Sequence, residues 1–78
     1  MAQWSDAGWL RRAAYYLDNR PTYVLESSQG YPRLYVTAQP GLNLEPYLGS
    51  PVKLYGPMVY RGDIKTNYMT AVQVTPLR

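Results

Sequence analysis

Apolar and polar residues alternate with a period of two along most of this chain, in runs too short for long helices. In "TYVLES" (22–27) Tyr23 and Leu25 share one face, with Thr22, Val24 and Glu26 on the other. "RLYVTA" (33–38) sets Leu34 and Val36 against Arg33, Tyr35 and Thr37, and "SQGYP" between the two runs predicts a hairpin. "PVKLYGPMVY" (51–60) opposes Val52 and Leu54 to Lys53 and Tyr55, and Gly56 is expected to bend or bulge this strand. "YMTAVQVTPL" (68–77) is threonine- and valine-rich and predicts a last strand. Its faces do not separate: Met69 and Ala71 share one parity, while Tyr68, Thr70, Val72 and Val74 share the other. Between the last two strands, 59–67 reads as a polar loop.

The first strand is less plain. "RRAAYYLD" has helix-forming alanine, arginine and leucine. No N-cap precedes it, however, and paired tyrosines favour a strand, so 8–16 is expected to be extended. "DNRP" (18–21) predicts a turn. Residues 1–7 are expected to be an extended or poorly ordered lead-in to a single domain.

Between the third and fourth runs the period changes. Pro40 and Gly41 break the strand, Asn43 is a candidate N-cap, Glu45 and Pro46 suit a first helical turn, and Gly49 suits a C-terminal cap. Leu44, Tyr47 and Leu48 stand at i, i+3 and i+4, so one turn of helix presents one apolar side. A lone turn is unstable in water and must pack on something, and the end of a small barrel offers such a place. Leu44, Tyr47 and Leu48 are therefore read as a plug. Strand, strand, strand, short helix, strand, strand is the order of a five-stranded OB-fold-like barrel, an all-β class. An SH3-like barrel is the alternative, with its helical turn before the last strand.

Size and composition narrow the function. The chain has 78 residues, no cysteine, no histidine and only five carboxylates. Zinc or iron sites and Ser–His or Cys–His nucleophiles then lack their residue types. Paired carboxylates such as Glu26 with Glu45 or Asp63 remain arithmetically possible for two-carboxylate chemistry, but both glutamates have structural explanations. The expectation is a protein without catalysis or cofactor. Glycines at 41, 49, 56 and 62 form no phosphate-binding pattern. "RGD" (61–63) matches a cell-adhesion tripeptide, but three residues coincide by chance and a turn is the default reading.

Some residues also resemble a known module. "YVTAQPGLNLEPYLGSPVKLYG" (35–56) with "MTAVQVTPL" (69–77) is similar to a small β-barrel module of uncharacterised planctomycete-type bacterial proteins, which often carry an SH3-like domain and are often exported. Tyr35-Val36-Thr37, Pro40 to Leu44, Tyr47, Gly49, Val52 to Gly56, Met69 to Ala71, Val74 and Pro76-Leu77 carry the resemblance. The 59–67 stretch departs from it. What it implies is a fold, and by extension an exported setting, although the start of the chain has no signal-peptide pattern. It implies no activity.

Binding is what remains. Nine tyrosines and two tryptophans stand against no phenylalanine, which suits a barrel wall or a tyrosine-rich contact surface. Trp4, Trp9 and Tyr55 are candidates for protein or neighbouring-domain contact, with Trp4 and Trp9 covering a barrel opening as the structural alternative. A single-stranded nucleic acid or oligosaccharide would use the second and third strands and two loops. Val24, Arg33 and Tyr35 would form that face, Arg20 the first loop, and Tyr60, Arg61 and Lys65 the second. The net charge of +3 is mild and spread along the chain, which favours a protein partner over nucleic acid. No membrane partner is indicated, and an open strand edge leaves a homo-oligomer possible.

Overall fold

The computed structural model describes residues 1–17 and 19–77. The chain is all-β: β1 Ala2–Trp4, β2 Gly8–Leu17, β3 Arg20–Glu26, β4 Pro32–Ala38, a 3-10 turn Glu45–Tyr47, β5 Pro51–Arg61, β6 Thr66–Ala71 and β7 Gln73–Pro76. In the expected 18–21 turn, Asp18 lies outside the described residues, Asn19 takes a positive φ of 60°, and Pro21 already belongs to β3.

All strands join one sheet. Antiparallel pairing runs from β2 to β3 to β4, β4 pairs β6 in parallel, β6 pairs β5, and β5 returns to β2. β5 makes this possible by changing neighbours along its eleven residues. Its start meets β2, its middle lies between β1 and β7, and its end meets β6. The core inside this ring of pairings is Leu10, Tyr23, Leu25, Leu34, Val36, Leu44, Val52, Leu54, Met69 and Ala71. Each large apolar side chain gives roughly 1.5–3 kcal/mol when removed from water, which offsets the ordering of short strands.

Several expectations need correction. The 59–67 stretch is strand except for a turn at 62–65, because β5 and β6 continue their ladder from Met58↔Met69 out to Arg61↔Thr66. The last run is two strands, not one. Met69 and Ala71 face inward, a bend at Val72 breaks the alternation, and Val74 then packs on the core. Neither parity could be uniformly apolar across that break. Gly56 makes no bulge: Val52, Leu54 and Gly56 are all buried on one side in strict alternation. The N-terminal segment is extended on the edge of β5, and Ser5 anchors its end by donating its N–H to the Leu54 carbonyl and accepting the Leu54 N–H on Oγ.

The helical segment is a 3-10 turn whose N-cap position is Leu44, not Asn43. Asn43 still contributes, accepting the Glu45 N–H on Oδ1 at 3.1 Å. Glu45 and Pro46 occupy the first turn as expected, and Gly49 follows it at φ 81°. Leu44 is buried in the core, and Tyr47 and Leu48 pack against it half-buried.

Glu45 ties this turn to the sheet. Its carboxylate accepts hydrogen bonds from the Arg12 guanidinium and the Tyr23 hydroxyl. Burial first, then the Glu45 hydrogen bond and charge, push the Tyr23 phenol up to about 12, against the opposing Arg12 charge. A raised folded value means that this stabilisation is complete below the ordinary phenol range near 10 and is lost as the pH rises through 12. Between pH 9 and 11.5 the wild type is expected to lose about 2 kcal/mol more than Tyr23→Phe, read from urea midpoints. Parallel curves for the two proteins would disprove the coupling.

Candidate functional site

Outside the ring, one row of side chains can be followed across the strands from the pairing register. Arg11 on β2 stands opposite Val24, Val24 opposite Tyr35, Tyr35 beside Tyr68, and Tyr68 opposite Val59. Tyr35 takes its expected place in this row, but Val24 is not open to a ligand. It is buried at 6% exposure between the rows that carry Arg11 and Tyr35. Tyr68 is the residue that sequence reasoning misses. Its face is unreadable while the last strand is treated as one unbroken run.

Tyr68 is held from two sides. Its hydroxyl shares a hydrogen bond with Thr37 Oγ1, and the Arg61 guanidinium carbon lies 5.1 Å from its ring centre. Arg61 also donates Nε–H and Nη2–H to the two carboxylate oxygens of Asp63, at 3.1 and 2.8 Å. That hydrogen bond, and then the charge, hold the Asp63 carboxyl below the usual carboxylate range. The RGD tripeptide thus spends its two charged groups on each other across the 62–65 turn.

The six candidate ligand residues do not form one groove. Arg33 is level with Thr66, the partner of Arg61, when the Tyr35–Tyr68 register is extended two residues, so Arg33, Arg61 and Lys65 gather at one end of the ring. Arg20 begins β3 at the other end, about 20 Å away by strand rise. Tyr60 and Arg61 are strand residues rather than loop residues, and Tyr60 has the parity of Met58, opposite to Arg61. At the shared end Arg61 is paired with Asp63, while Arg33 and Asp6 both line one cavity without pairing with each other.

A second surface lies over β1, β5 and β7. Trp4 is paired with Tyr55 in register, their ring centres are 5.1 Å apart at 52°, and Trp4 remains 48% exposed. Lys53 and Thr75 adjoin Trp4. Trp4 therefore sits on an outer face and does not cover an end of the ring, because β1 extends the flank of β5 rather than crossing the opening. Trp9 stands opposite Pro51 on β5, half-buried beside a cleft shared with Arg11, Glu26 and the 27–30 turn. By alternation along β5, Pro51, Lys53 and Tyr55 share a face, so Trp9 and Trp4 border one stripe from two ends.

Comparison of the chain with protein-family models, with curated proteins and with solved structures gave no match.

Proposed function

We propose that this chain is an OB-like small β-barrel that serves as a non-catalytic contact module for another protein or a neighbouring domain. The barrel reading is supported by the ring order β2-β3-β4-β6-β5, by the parallel β4–β6 pair, and by the 3-10 turn between the third and fourth ring strands. An SH3-like order would put the turn before the last strand. The resemblance to exported planctomycete-type modules is in keeping with a contact role beside other domains.

The observation that carries the contact reading is Trp4 lying on Tyr55 in the open, on a face bordered by the outer edges of β1 and β7, which pair with no further strand among the described residues. An exposed tryptophan on a rigid strand has a large desolvation gain when covered and little side-chain freedom left to lose. Single-stranded nucleic acid or oligosaccharide binding is the second reading, favoured by Tyr35 and Tyr68 side by side on the outer face. Stacking there is worth about 1–3 kcal/mol per base, but it needs open rings and a basic track. Tyr68 is buried under its own contacts, and Arg61 beside it is engaged by Asp63.

Two measurements separate the readings. A photo-crosslinking amino acid in place of Trp4, introduced into the protein in its native cell, is expected to give one discrete protein adduct, absent when the probe replaces Lys65. In a mobility-shift assay, a labelled single-stranded oligonucleotide is expected to run free at micromolar protein and low salt. Micromolar retention that falls steeply with added salt would transfer the function to the second reading.

A further inference from the structure

We propose that the end of the ring opposite the 3-10 turn binds a small zwitterion, of the class of a free α-amino acid with an apolar side chain. A cavity of about 200 Å³ lies there, bounded by the link between β1 and β2 and by residues of β3, β4, β5 and β6. Leu25, Leu34 and Met58 make its apolar wall, and Asp6, Arg33 and Asn67 its polar one. The polar side is held in place by Ser5, whose hydroxyl donates to the Asp6 carbonyl while accepting the Leu54 N–H. Met58 is held from outside by Gln3, which donates Nε2–H to its sulfur at 3.1 Å.

The charges on this cavity are unspent. Among the described residues neither the Asp6 carboxylate nor the Arg33 guanidinium has a hydrogen-bond or ion-pair partner, although both line the same space. Arg11, Arg12 and Arg61, by contrast, each hold a carboxylate. A ligand with one charge would satisfy one wall and be opposed by the other. A molecule with an ammonium for Asp6, a carboxylate for the Arg33 fork and an apolar body over Leu25, Leu34 and Met58 meets all three demands. The size is consistent with this: the space equals roughly seven waters and falls below the roughly 300 Å³ at which drug-sized pockets begin. Both charges are open to solvent, so binding in the millimolar range is expected.

The test is a two-dimensional NMR titration of the intact chain with L-leucine, leucinamide and N-acetyl-leucine. Leucine is expected to shift the amides of Asp6, Ala7, Leu34 and Asn67 and to saturate at millimolar concentration. Leucinamide lacks the anion and N-acetyl-leucine the cation, and each is expected to bind at least about tenfold more weakly. Asp6→Asn and Arg33→Gln are expected to weaken leucine binding to a similar extent, with spectral dispersion retained. Equal responses to the three compounds, no response to leucine, or unchanged binding in both variants would overturn the site. If a variant loses dispersion, the three-compound series on the unaltered chain decides the matter.

Discussion

Gly56→Ala is expected to be the most damaging single substitution, lowering stability by about 3 kcal/mol or more. A β-carbon at this position would stand 2.0 Å from the Thr70 carbonyl oxygen, 3.0 Å from its carbon and 3.2 Å from the Ala71 α-carbon. All three are backbone atoms, so no side chain can rotate away. Relief requires moving β6 where it leaves β5, just beyond the Met58↔Met69 pair. A domain of this length has about 4–12 kcal/mol in total, so much of its stability goes with one methyl group. The thermal midpoint should fall by about 12 °C or more. Gly62→Ala is the control, since a methyl group there would meet nothing within 4 Å and its change should stay within about 0.5 kcal/mol. Similar midpoints for the two variants, by calorimetry or circular dichroism, would show that β5 and β6 have room to separate.

Leu44→Ala comes second, at about 2–5 kcal/mol in urea unfolding. Leu44 is 1% exposed and reaches the core from a 3-10 turn with little stability of its own. Its removal opens a void and also detaches the segment that places Glu45 against Arg12 and Tyr23. Alanine at Leu48 or Tyr47 should cost less, because both are only half-buried against the same cluster. A loss below about 1 kcal/mol for Leu44→Ala would mean that the turn lies on the sheet without supporting it.

The β3–β4 hairpin was legible because alternation tells inside from outside directly. Leu25, Leu34 and Val36 are buried as their spacing required. The same rule failed on the outer face, where Thr22, Val24 and Thr37 are buried although their parity points away from the core. Parity gives a direction, while burial depends on which neighbours lie alongside, and Tyr35 and Tyr68 come from strands that the hairpin alone does not bring together. The 3-10 turn was legible from its proline, glycine and apolar spacing. Its attachment was not: Glu45 reaches Arg12 and Tyr23 at sequence separations of 33 and 22, and no local pattern marks such partners. Reading Met69 and Ala71 as a strand that ends before Val72 would have placed Tyr68 on the outer face.

Arg61 illustrates the same limit in the candidate site. As a sequence it is a basic residue near a tyrosine-rich face. In the fold its guanidinium lies over Tyr68 and against Asp63, and the cation offered to a ligand at that end is instead Arg33, lining the same cavity as Asp6.

Residue order alone did not show that 59–61 and 66–67 are strand. It determined that the chain is built of short extended runs, where the single helical turn interrupts them, and which side chains of the central hairpin turn inward. These follow from interactions over a few residues: β-branched and aromatic preference, proline and glycine geometry, and a two-residue period. Only the tertiary structure decided that β5 serves four neighbours, that the last strand changes face at Val72, and which charges meet one another. Backbone groups along a strand edge are chemically alike in every sequence, so the choice of partner edge is made by the packing of all the strands together.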